Sequence, residues 1–154
     1  MRTLIEKIDN YAINLFRRTE VPLSRIAIFV VYFWFGFLKI IGVSPAGPMV
    51  QTLFERTLNF MPFEAFYAGF SFFEIIIGIL FLIRGMERLA LGLIYIHLIT
   101  TVLPLFLLPH LTWQGFMVPT LEGQYIIKNI LIVAATAVIG SRLKPRGESL
   151  PANN

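Results

Sequence analysis

Phe63 to Ile83 reads FEAFYAGFSFFEIIIGILFLI. About 20 consecutive apolar residues in a helix cross the hydrocarbon core of a bilayer, and this run reaches that length with one carboxylate, Glu74, in its interior. A charge at that depth costs about 3 kcal/mol or more, so it faces protein or water rather than lipid and marks a functional site by default.

The composition extends the same reading to the whole chain. Of 154 residues, 56% are hydrophobic and 14% charged, with a mean hydropathy of +0.74, outside the range of soluble domains. The class is all-α, an integral membrane bundle of a few helices with no room for a second domain. The absence of cysteine rules out disulfides, thiolate chemistry, iron–sulfur clusters and Cys-ligated zinc in this chain. A net charge of +4 without a basic reading element gives no nucleic-acid partner. The first 25 residues lack a short apolar core followed by small residues, so no cleavable signal peptide is expected.

Working outward, residues 1–20 form an amphipathic helix. Leu4, Ile8, Tyr11, Ala12, Leu15 and Phe16 share one face, with charges opposite. This helix lies on the membrane surface or packs on the inner end of its own bundle, and Val21-Pro22 ends it. Four spans follow within residues 21–141, at about 26–43, 63–83, 89–109 and 124–140. An external loop from Ser44 to Pro62 contains a short surface helix over Met49–Phe60. Gly85 centres a tight cytoplasmic turn, and Pro104 kinks the third span. His110 to Gly123 forms a second external loop with Trp113 at interface depth, and residues 142–154 form a basic cytoplasmic tail. Ten of the thirteen Lys and Arg residues fall on one side of these spans, which puts both termini in the cytoplasm.

Lys39, Glu64, Glu74, His97 and Lys128 are the ionisable groups within or at the edges of the spans. Lys39 and Lys128 each lie roughly 6 Å below the outer ends of their helices, and Glu74 and His97 lie near mid-depth. Tyr67, Ser71, Glu74 and Gly78 share one helical face; so do Tyr32, Gly36 and Lys39. Such small and polar faces pack against other helices. With His97 beside Thr100 and Thr101, and Lys128 beside Gln124 and Tyr125, four helices point polar groups at one interior volume, a polar pocket opening outward.

Alternatives stay open for each group. Either lysine can snorkel to the interface without a function. Glu74 is paired with a lysine or protonated. His97 is a hydrogen-bonded core residue or a ligand. One His with one or two carboxylates makes no metal site, and no second His stands at ligand spacing for zinc or haem. Among the many aromatic residues of the first two helices a quinone can be accommodated, with Glu74, His97 or Lys39 bonding its oxygens.

Three segments together resemble the DoxX-like superfamily of small four-helix bacterial membrane proteins, and within it the DUF417 (YkgB-like) group. They are FWFGFLKI (Phe33–Ile40), FFEIIIGILFLI (Phe72–Ile83) and EGQYIIKNILIVAA (Glu122–Ala135). The likeness covers roughly residues 20–145 and puts Lys39, Glu74 and Lys128 on motif positions. Asn129 stands where that family often has an acid, one negative charge fewer. The resemblance implies a bacterial inner-membrane location and an accessory or quinone-interacting role in redox homeostasis or stress resistance, without a complete catalytic centre in this chain. Relatives include a subunit of thiosulfate:quinone oxidoreductase. Two other functions are carried beside it. One is a small transporter or channel subunit in which Glu74 and His97 handle a proton or small solute, although the two helix pairs show no internal repeat. The other is a structural subunit that binds a partner membrane protein or a second copy of itself.

Overall fold

The computed structural model describes residues 3–58 and 60–145. It is mostly helical, with four helices long and apolar enough to cross a membrane: Leu4–Ile40, Phe63–Leu82, Glu87–Leu107 and Leu121–Ser141.

Helix α1 (Leu4–Ile40) begins at a reciprocal cap. Thr3 Oγ1 accepts the Glu6 N–H at 3.3 Å, and the Thr3 N–H donates to Glu6 Oε2 at 3.0 Å. The helix then runs without interruption through Pro22, so the expected break at Val21-Pro22, and with it a separate surface helix over residues 1–20, is corrected. Proline removes one N–H and crowds the carbonyl four residues back, but elongation of an established helix adds a bond per residue. The long flanks therefore hold the path across one defect. At 1.5 Å per residue α1 is about 55 Å long. Its buried residues, Ile28, Tyr32, Gly36 and Lys39, all fall in the second half. Leu4, Ile5, Ile8, Tyr11 and Phe16 are exposed, so this apolar face does not pack on its own bundle, and contact begins near Glu20, which pairs with Arg142.

Helix α2 (Gly47–Thr57) realises the short helix expected in the first loop, and its Phe54 is buried against Phe63 and Phe66. Helix α3 (Phe63–Leu82) runs antiparallel to α1 in the closest pairing of the bundle. Glycine makes that approach possible. A Cβ at Gly36 would stand 2.8 Å from the Ser71 carbonyl oxygen, and one at Gly78 would stand 3.1 Å from the Phe33 nitrogen. Small residues at a crossing let backbones meet, which is the packing that apolar helices use when solvent does not drive them together.

The turn after α3 is made by Gly85 at φ 89°, a left-handed conformation that favours glycine. Helix α4 (Glu87–Val102) follows, and Pro104 starts a new short helix, α5 (Pro104–Leu107), rather than only bending the old one. The second loop is more ordered than expected. It contains a helical turn, α6 (Pro109–Thr112), and a two-stranded antiparallel hairpin of β1 (Trp113–Gly115) and β2 (Val118–Pro119). Helix α7 (Leu121–Ile127) starts three residues before the expected Gln124 because Thr120 Oγ1 caps it, accepting the Gly123 N–H at 3.1 Å. A Cβ at Gly123 would fall 2.1 Å from the Thr112 carbonyl oxygen, so glycine is required where α7 meets α6.

The fourth apolar helix is in two pieces. Tight i→i−3 bonds, Asn129 to Ile126 and Leu131 to Lys128, separate α7 from α8 (Ile130–Ser141). One apolar core joins the four: Ile28 and Tyr32 of α1, Ile77 and Phe81 of α3, Ala90, Ile94 and Leu98 of α4, and Ile139 of α8. Of the basic tail, residues 146–154 lie outside the described residues.

Candidate functional site

The α1–α3 crossing brings two polar faces together. On α1, Tyr32, Gly36 and Lys39 succeed one another at helical spacing; on α3, Ser71, Glu74 and Gly78 do the same. Because both backbones are close at the glycines, a lysine one turn beyond Gly36 on α1 reaches the α3 carboxylate. Lys39 Nζ donates to Glu74 Oε2 at 2.6 Å. The other carboxylate oxygen, Oε1, lies 3.0 Å from His97 Nε2 on α4, and His97 Nδ1 lies 3.0 Å from the Tyr32 hydroxyl.

Donor and acceptor counting orients this chain. A carboxylate accepts, so His97 Nε2 carries hydrogen; a neutral ring then leaves Nδ1 to accept the Tyr32 O–H. Every bond points toward Glu74, which receives one donor on each oxygen. A charged imidazole would place two cations against one carboxylate and deprive the Tyr32 hydroxyl of its acceptor. The neutral Nε2–H tautomer is therefore assigned from the network.

Aromatic rings close the sides. Phe70 stacks on His97 at 5.1 Å, Tyr32 meets it edge-on at 5.0 Å, and Lys39 Nζ lies 5.8 Å above the Phe70 ring. The four polar residues are only 4–7% exposed. That burial decides two questions left open by the sequence. Lys39 turns inward instead of snorkelling, and the polar groups bond one another instead of lining an outward-opening pocket. A buried pair of this kind is a poor source of net stability, because desolvation offsets the attraction, but breaking it leaves a bare charge.

Four sequence-predicted residues stand apart from the chain. Lys128, at the end of α7, is exposed, with its Nζ 5.1 Å over the Tyr125 ring, so it does not join Glu74. Its helix turns that face outward, where a cation gains from a ring at the surface. Glu64 is exposed in the first turn of α3. Asn129 is half-buried with Nδ2 3.5 Å from Thr101 Oγ1, at the limit of a hydrogen bond. Tyr67 is half-buried near the start of α3, and its carbonyl accepts the Ser71 hydroxyl at 2.6 Å. Thr100 and Thr101 donate to carbonyls of their own helix, from His97 and Leu98. The participants that sequence reasoning left out of the site are Tyr32 and Phe70. The sequence had set Tyr32 on the face of Lys39, seven residues before it and two turns along, but had not made it a member of the site.

Among the described residues no three His, Asp or Glu side chains come together as metal ligands. Compared with protein-family models, curated proteins and solved structures, the chain matches none.

Proposed function

We propose that this chain is a multi-pass protein of the bacterial inner membrane, DoxX-like in type, with both termini in the cytoplasm. In this reading it handles protons as an accessory component of quinone-linked redox chemistry, in the service of redox homeostasis or stress resistance. Support for insertion comes from four helices of sufficient length and apolarity. Support for orientation comes from ten of thirteen basic residues at one end. The DoxX-like reading gains from the meeting of Lys39 and Glu74, two of the three motif residues.

The observation that carries the function is the buried Tyr32–His97–Glu74–Lys39 chain. Glu74 is an acceptor between a cation and a neutral imidazole, with a hydroxyl on the far side of that imidazole. A proton reaching the Tyr32 hydroxyl can be passed on from that hydroxyl to His97 Nδ1 while Nε2 gives its own proton to Glu74, and this step needs no water inside the bundle. Ionisable groups placed so deeply are the parts from which proton relays are made. A groove of about 400 Å³ on α4 and α5 is lined by Tyr95, Leu98, Ile99, Val102, Leu103 and Phe106. It is apolar enough for a quinone ring, but neither Glu74 nor Lys39 lines it. The reading therefore assigns the proton to the network and removes direct bonding of quinone oxygens by Glu74 or Lys39.

The test is pH-difference infrared spectroscopy of the nanodisc-embedded protein, with native mass spectrometry and lipid extraction of the same preparation. The expected result is a carboxyl band that appears on acidification and is missing in Glu74→Gln, together with a co-purifying quinone or redox subunit. A protein with no Glu74-dependent band and only glycerophospholipid bound would overturn the reading.

A second reading, a structural subunit of a larger membrane complex, is favoured by the first half of α1. Its exposed Leu4, Ile5, Ile8, Tyr11 and Phe16 stand clear of the bundle and offer a partner or second copy an apolar face. A monomeric mass in nanodiscs, with no partner captured by cross-linking through that half, would remove it.

A further inference from the structure

The α1–α3 pair has a second charged site, about 21 Å along α1 from Lys39 at 1.5 Å per residue. Arg25 Nε donates to the Phe81 carbonyl, and Nη1 donates to Glu87 Oε1 at 2.7 Å. Glu87 is itself held by the turn, since Oε2 accepts the Gly85 N–H at 2.8 Å. Arg25 Nη2 is different: among the described residues it is buried and has no acceptor. A buried donor on a charged group is costly to leave unpaired.

Beside it opens a groove of about 390 Å³, lined by Val21, Pro22, Arg25, Ile26, Leu82 and Arg84. Arg84 is exposed in the turn after α3 and makes no ion pair among the described residues. The site thus sets two guanidinium groups against one carboxylate, a surplus of one positive charge. The remaining wall is apolar, and Pro22 adds no N–H to it. A surplus cation beside an apolar wall suits an amphiphile with an anionic head rather than a small hydrated ion. Guanidinium groups bind phosphate through paired N–H donors, and Val21, Ile26 and Leu82 offer surface to a glycerol and acyl stem. Arg88, which donates to the Lys144 carbonyl, and Arg142, which pairs with Glu20, add positive charge at the same end of the bundle, where anionic lipids are attracted.

We propose that this groove binds the phosphate of an anionic glycerophospholipid, with Arg84 on the phosphate, the buried Arg25 guanidinium adding its charge from behind, and the apolar wall on the stem. The proposal rests on insertion in a bilayer but not on the Glu74 network. Its test is native mass spectrometry of the full chain released from nanodiscs of equal parts phosphatidylglycerol and phosphatidylcholine. The protein is expected to retain phosphatidylglycerol in preference, and Arg84→Gln to reduce that retention about fivefold, the effect of one arginine at an anionic lipid surface. Arg84 is exposed, so the variant keeps its fold, which an unchanged circular dichroism melt verifies. Equal retention of the two lipids, or retention unchanged by Arg84→Gln, overturns the proposal. Displacement of lipid by inorganic phosphate, with phosphate bound in its place, overturns the lipid assignment. Recovery of the chain in the soluble fraction overturns insertion as well, whereas a membrane-extracted protein without lipid preference overturns this proposal alone.

Discussion

Lys39 and Lys128 both stand at the carboxyl-terminal ends of helices, Lys39 in the last turn of α1 and Lys128 at the cap of α7. One is buried 2.6 Å from Glu74; the other lies exposed over the ring of Tyr125. The favourable interaction of a cation with a helix carboxyl terminus is common to both, so it does not explain the difference. What differs is the neighbour. Lys39 shares its face with Gly36, which lets α3 come within touching distance and present a carboxylate. The face of Lys128 has Gln124 and Tyr125, both exposed. A lysine becomes part of a buried site when the helix beside it can approach, not merely because it lies in an apolar segment.

The largest test of that contrast is Glu74→Ala, which leaves Lys39 buried without its partner. Reversible unfolding in mixed micelles, followed by circular dichroism, is expected to show a loss of about 3–5 kcal/mol. The double variant Lys39→Met with Glu74→Leu should recover most of it, since no bare charge remains. A loss for Glu74→Ala as small as that of a Lys128 variant would break the comparison.

Next comes the spacing itself. Gly36→Val forces a side chain against the Ser71 carbonyl and should cost about 1–3 kcal/mol in the same measurement, as overpacking does. It should also abolish any infrared signal of Glu74 that depends on Lys39. An intact signal would show that the crossing can widen without separating the pair.

Tyr32→Phe removes one hydroxyl and is expected to cost about 1 kcal/mol. Nitrogen NMR of labelled histidine sharpens the result. The His97 ring should report the Nε2–H tautomer in the parent chain and lose the hydrogen bond to Nδ1 in the variant. The smallest effect belongs to Lys128→Gln, which should shift stability by less than about 0.5 kcal/mol, as exposed substitutions do.

Much of this was legible before any coordinates. Four long apolar segments, the turn at Gly85 and the face shared by Tyr32, Gly36 and Lys39 all follow from local period and residue type. Pro22 misled because a proline reads as a boundary, whereas a long helix can carry one lost bond. The hairpin at Trp113–Pro119 was missed because three-residue and two-residue strands leave no alternating pattern to detect. The partnership of Arg25 with Glu87 was hidden for another reason. They are 62 residues apart, and only the return of the chain through Gly85 brings them together.

By itself the amino-acid sequence determined that four segments are apolar and long enough to cross a membrane and placed Glu74 inside one of them, because hydropathy and helical period are properties of neighbouring residues. Which cation meets Glu74, whether the polar groups face a pocket or one another, and which tautomer His97 adopts were decided by the tertiary structure. Each depends on distances between helices, and those are set by the small residues at the α1–α3 crossing and by the donors left over once every buried bond is counted.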